Sequence, residues 1–166
     1  QSNRGLGNEV GYYIFDYNPK DELLIREHIR GLVAKNSSQI NGYRIQNFNL
    51  YEIMMDYIEE KGYLDKITKM EMRHDIMYVA SRINRLLKME EFDDSQMYFT
   101  KFIMDRVDEK SVVILTGMGE IYPLVRAHSV LNKMHLVYTK TPVIMMYPGE
   151  YDRRRLTILD TKKDNN

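Results

Sequence analysis

The sequence predicts an α/β fold: a mostly parallel sheet flanked by helices on both faces, with a helical layer or subdomain inserted between strands two and three. Two observations carry this expectation. Short aromatic or β-branched runs alternate along the chain with stretches of helical periodicity, the order that yields right-handed strand–helix–strand crossovers. In addition, the run Val112, Val113, Ile114, Leu115 and the run over residues 142–147 are apolar without alternation. Strands have that composition when helices cover both of their faces.

Residues 12–16 read as a buried strand that stops at Tyr17-Asn18-Pro19. Asn18 can cap the helix that follows, and Pro19 suits its first position because the N–H it lacks would be unpaired there anyway. Asp21 then sits at the positive end of the helix dipole. Ile25, Ile29, Leu32 and Val33 make the apolar stripe of this helix. Polar residues 36–42 end it, and residues 43–48 alternate as a second strand. Asn49 followed by Glu52 resembles a capping box opening a helix with Ile53, Met54, Tyr57 and Ile58 on one face, stopped near Gly62.

Ile67, Met70, Met77, Ala80, Ile83 and Leu87 keep helical spacing, which predicts the longest helix over residues 64–89, with a separate turn at 63–69 as the alternative. Glu90, Glu91, Asp93 and Asp94 mark a loop and the start of a helix carrying Tyr98, Phe102, Ile103 and Val107. A solvated helix start accounts for that acidic run better than a metal site. Residues 51–110 therefore form the helical insertion. After a central strand over 111–116, Gly117-Met118-Gly119 turns into a helix predicted over residues 120–137. Pro148-Gly149 suits a type II turn with glycine at positive φ, and residues 156–159 read as an edge strand.

A chain of 166 residues suits one domain. Gln1, Ser2 and Asn3 read as a tag remnant, so that the domain is expected over residues 4–166. Twenty-four basic and 24 acidic residues cancel, which removes the overall attraction to nucleic acid or anionic membrane. Without cysteine there is no disulfide framework and no thiolate ligand or nucleophile. No apolar run approaches the roughly 18 residues of a membrane span. A soluble, cytoplasmic protein is the expectation.

Catalytic patterns are absent. Gly117 and Gly119 begin a dinucleotide fingerprint whose third position is Tyr122, and no phosphate-loop pattern occurs, so a tight structural turn explains both glycines. His28, His74, His128 and His135 are scattered; His128 and His135 share one face of the predicted helix, at a spacing that suits packing better than metal ligation. Ser129 lacks the turn that exposes a serine nucleophile. Glu120 and Glu150 both follow strands, and a carboxylate pair or ordinary cap and turn contacts explain them equally. Most of the 12 methionines fall on helix stripes and read as core. Neither metal nor cofactor is expected.

The stretch TGMGEIYPLVRAHSVLNKM, followed by PVIMMYPGEYD, resembles the BREX B protein family, BrxB, of bacterial phage-defence systems. The residues that carry the likeness are Gly117, Gly119, Glu120, Tyr122, Pro123, Arg126 and His128, then Tyr147, Pro148, Gly149, Glu150, Tyr151 and Asp152. Asn18-Pro19 and the helix start Asp21-Glu22-Leu23 are similar to the family as well, and the likeness is weakest over residues 51–110. The chain departs from the family at Arg153, Arg154 and Arg155, where the pattern has a glycine and polar residues.

The resemblance implies a component of BREX, a multi-protein system that blocks phage replication while host DNA is methylated. It implies no catalytic activity for this component and an association with the alkaline-phosphatase-like Z component. The expected function is thus a non-enzymatic adaptor or scaffold, with the matched residues apart from Pro123 and Tyr147 as partner-binding candidates. A degenerate nucleotide-binding or nucleic-acid-binding domain is the alternative, supported by the α/β layout, Arg153 to Arg155, Lys162 and Lys163. The turns at 117–120 and 148–152 follow strands separated by one crossover, so they are expected side by side at the carboxyl edge of the sheet.

Overall fold

The computed structural model describes residues 11–36, 42–152 and 155–157. Strand β1 (Tyr12–Tyr17) leads through a short 3-10 turn into α1 (Glu22–Lys35), and β2 (Arg44–Asn49) is followed by α2 (Leu50–Glu60), α3 (Leu64–Glu71), α4 (Ile76–Leu86) and α5 (Tyr98–Met104). Then come β3 (Ser111–Thr116), α6 (Met118–Ile121), α7 (Ala127–Lys133), α8 (His135–Tyr138), β4 (Val143–Pro148), β5 (Glu150–Asp152) and β6 (Arg155–Thr157).

Four strands form a parallel sheet in the order β1-β4-β3-β2. The two continuous apolar runs are its central pair, in register at Val113↔Val143 and Leu115↔Met145. Their side chains divide between two cores because successive residues of a strand point to opposite faces. Val113, Leu115, Val143, Met145 and Tyr147 enter the large core. Ile114 and Met146 meet Ile29 of α1 on the other face. The segment between β2 and β3 is helical, and its buried Ile53, Met54, Ile58, Val79, Ile83, Phe99 and Ile103 belong to the same large core as β3 and β4.

The caps follow the sequence signals. Asn18 Oδ1 accepts from Lys20 N at 3.0 Å, which starts the 3-10 turn Pro19–Asp21 ahead of α1 rather than α1 itself, and Asn49 Oδ1 accepts from Tyr51 N at 3.1 Å and Glu52 N at 3.3 Å at the start of α2. Gly62, at φ +68, ends α2, with Tyr63 N donating to Ile58 O at 2.9 Å. Asp93 accepts from Ser95 N at 2.9 Å, so this acid of the 90–94 run serves a turn start.

Five expectations are corrected. β1 is an edge strand rather than a buried one, with Tyr13 60% and Phe15 51% exposed. The helix expected over 64–89 is two helices, because the Asp75 carboxylate accepts from Tyr78 N at 2.8 Å and starts α4 afresh. The restart rotates the stripe, leaving Met77 58% exposed while Val79 is buried. α1 is consequently the longest helix among the described residues.

The helix expected over 120–137 breaks into α6, α7 and α8. Pro123 follows Tyr122 through a cis peptide and supplies no N–H, and Tyr122 is extended at ψ 139. Pro148-Gly149 is not a reversal: Pro148 pairs with Tyr17 as the last residue of β4, and Gly149 N donates to Tyr17 O at 2.9 Å. The positive-φ glycines described are Gly42, Gly62 and Gly117. Lastly, β6 pairs antiparallel with β5 in a separate two-stranded sheet instead of extending the main one. The tag-like residues 1–3, Arg153, Arg154, Lys162, Lys163 and the end of the 156–159 run lie outside the described residues.

Candidate functional site

Because all four strands of the main sheet are parallel, their carboxyl ends line one edge, the usual place for a site in an open α/β sheet. Gly117 leaves β3 at φ +83, and a Cβ on it would lie 2.1 Å from Asn49 Oδ1 and 2.9 Å from Tyr51 N. A Cβ on Gly119 would lie 2.8 Å from Pro148 Cγ. The β3–α6 turn is therefore wedged between the capped end of β2 and the end of β4. The two predicted turns do sit side by side, and Gly117 and Gly119 are spacers between packed groups.

Glu120, the first acid beyond this joint, reaches α1. Its Oε1 accepts from Arg26 Nη2 at 2.6 Å, and Arg26 Nε donates to Glu22 Oε1 at 2.7 Å. The Tyr17 hydroxyl, at the end of β1, donates to the second oxygen of Glu22. Burial, reinforced by that hydrogen bond, pushes the Tyr17 phenol well above its ordinary pKa, while the two carboxylates hold the Arg26 guanidinium above its own. One further carboxylate is used in the same way: Asp16 Oδ2 accepts from Tyr151 N at 3.0 Å and ties β5 to β1.

On the other side of the joint, Tyr122, Arg126 and His128 line a depression of about 330 Å³ with Met118, Val125, Ala127 and Tyr147. Tyr122, Arg126 and His128 are exposed, whereas Tyr147 is buried. Burial pushes the Tyr147 phenol up to about 12, with a smaller contribution from the Tyr122 phenol. An exposed phenol, a guanidinium and an imidazole around a partly apolar hollow combine rigid area with charge, the mixture common where protein partners bind.

The eleven candidates thus fall into three groups. Gly117, Gly119, Pro148 and Gly149 form the joint, and Tyr122, Arg126 and His128 share the depression. Glu120 is committed to Arg26, exposed Glu150 and half-buried Tyr151 lie on β5, and Asp152 ends that strand. His128 and His135 do not share a helix face, since the broken helix puts them on α7 and α8. Sequence reasoning missed the Tyr17–Glu22–Arg26 chain. Glu22 and Arg26 stand four apart on one helix and were readable as a pair; the 94-residue separation of Arg26 from Glu120 was not.

Among the described residues no cluster of three His, Asp or Glu side chains is placed to hold a metal ion, and no helix is long and apolar enough to cross a membrane.

A family model described as "BREX protein BrxB" matches residues 46–166, which include all eleven candidates. A protein named BREX protein BrxB from Bacillus cereus (strain H3081.97) is 39% identical over 168 residues, covering 100% of this chain and 84% of its own length. Another of that name from Escherichia coli O9:H4 (strain HS) is 32% identical over 166 residues, covering 98% of this chain and 78% of its own. No solved structure matches the chain.

Gly117→Ala should cost about 1–3 kcal/mol or more, since it adds a left-handed non-glycine residue to a steric overlap. Urea unfolding would check this, and a loss below about 0.5 kcal/mol would show that the joint yields easily.

The raised phenol of Tyr147 gives a pH dependence of definite sign. Its protonated form is favoured by folding, so the associated stability is present below pH 10 and is lost as pH rises from the ordinary phenol value of 10.0 through about 12. Tyr17 and Tyr138, also raised by burial, act in the same sense. Melting temperature should therefore fall above pH 10, and less steeply in Tyr147→Phe; parallel curves for the two proteins would refute the assignment.

Proposed function

The chain belongs to the BREX protein BrxB family, and from that premise we propose that it is a non-enzymatic adaptor whose carboxyl sheet edge receives another BREX subunit. Membership makes it a component of a BREX phage-defence system, and the names of both relatives carry no enzymatic activity. The partner we assign is the alkaline-phosphatase-like Z component, on the strength of the family resemblance in the sequence, and the place of action is the cytoplasm.

The observation that carries this reading is the joint at Gly117 and Gly119. Its glycines face Asn49 and Pro148, so they serve packing between strand ends and not the approach of a phosphate. What that packing presents to solvent is the Tyr122, Arg126 and His128 surface, set on a base anchored by Tyr147. Such a surface needs no cofactor. It also tolerates a net charge of zero, because a short-range interface depends on local complementarity.

Combined substitution of Tyr122→Ala and Arg126→Glu should weaken capture of the purified Z component about tenfold or more. Both side chains are exposed, so the melting temperature should move by no more than a few degrees. Unchanged capture would return these residues to a structural role. Nucleotide or DNA binding that weakens steeply with salt and is lost in the same variant would favour the degenerate nucleotide-binding or nucleic-acid-binding alternative.

A further inference from the structure

We propose that the groove between α3 and α4 is a second docking site, separate from the carboxyl edge, and that it takes an acidic amphipathic helix of a partner protein. The groove has a volume of about 320 Å³. Ile67 and Met70 from α3 and Leu86 from α4 make its apolar floor, and Lys66, Arg82 and Arg85 stand along its rim. The floor residues are half-buried and rest on the large core, so the groove is a fixed depression of the helical layer.

The charged residues that line it are all basic. The three rim cations meet no lining carboxylate, and none of them forms an ion pair among the described residues. Two of them, Lys66 and Arg82, lie over aromatic rings. Lys66 Nζ lies 5.0 Å from the Tyr63 ring centroid, and Arg82 lies 5.0 Å from that of Tyr78 while donating to the Tyr78 hydroxyl at 2.9 Å. A ring orients a cation without neutralising it, so the charge stays available to a partner.

Leu86 also lines the adjoining cleft, where Lys61, Lys88, Lys101 and Arg106 outnumber Glu60 and Asp105. On a chain with no net charge, this concentrates positive potential on one face of the helical layer.

An apolar floor between basic walls selects its occupant. A helix with apolar anchors three and four residues apart would fill the floor, and carboxylates flanking those anchors would reach Lys66, Arg82 and Arg85. A strand has no sheet edge to join here. Single-stranded nucleic acid fits less well, because bases need open aromatic faces. The Tyr63 ring is covered by Lys66, and the Tyr78 ring stacks with His74 at 4.1 Å.

Photo-crosslinking tests the proposal directly. The full chain carrying benzoylphenylalanine at Met70 would be co-expressed with the complete BREX system, and the crosslinked peptide identified by mass spectrometry. The expected partner segment has apolar residues at three- and four-residue spacing and more Asp and Glu than Lys and Arg. Arg82→Glu with Arg85→Glu should lower the crosslink yield about fivefold or more, as should raising NaCl from about 0.1 to 0.5 M. Lys66→Glu, on the opposite wall, should do the same in a chain that keeps its melting temperature. Absence of a crosslink, a crosslink to nucleic acid, a segment without acidic excess, or a yield indifferent to the charge reversals would each overturn the proposal.

Discussion

There is no room for a side chain at Gly117, and much of the carboxyl edge of the sheet depends on that fact. The strand before it is buried between two layers, so the chain must leave the sheet through a gap bounded by the Asn49 cap and the end of β4. Glycine satisfies both demands, because it tolerates φ +83 and presents no Cβ to Asn49 Oδ1. Two residues on, Gly119 likewise has no room for a Cβ, here against Pro148. The four-residue α6 then delivers Tyr122 to the break at Pro123, and the chain re-enters a helix with Arg126 and His128 beside Tyr147.

Charge then connects this joint to the first strand and helix. Glu120 and Glu22 share Arg26, Tyr17 bonds to Glu22, and Asp16 holds the backbone of Tyr151. Each ion pair is partly exposed and contributes on the order of 1 kcal/mol or less. The network therefore matters for placement more than for stability: it fixes α1 and β1 relative to the two turns. Glu120 is thus engaged in positioning the edge, and in the adaptor role proposed above recognition is assigned to Tyr122, Arg126 and His128.

Much of this fold was legible in the sequence for identifiable reasons. Val112 to Leu115 and residues 142–147 had to be central, since an unalternating apolar strand has no face to give to water. Asn49 announced α2, and Asn18 the 3-10 turn that leads into α1, because a side-chain carbonyl at such a start answers a local need for an N–H acceptor. The two helix errors arose where a local signal was outweighed by a periodic one. Asp75 and Pro123 are both written in the chain as breaks, yet apolar spacing on either side suggested continuity. β1 misled for a different reason: aromatic residues on an edge strand look the same in sequence as those of a buried one. The ion pair across 94 residues could be found only in three dimensions.

The carboxyl edge and the α3–α4 groove use different physics, the first a shallow aromatic and cationic hollow at a rigid joint, the second an apolar trough between basic walls. An adaptor needs at least two such faces if it is to hold two partners at once. The central claim, that the sheet edge is where the Z component binds, is tested most directly by hydrogen–deuterium exchange on the chain alone and in the complex. Binding at this edge predicts slowed exchange over residues 117–128 and 147–151 with little change on the outer face of α1. Protection that spares both turns while the complex is formed would contradict it.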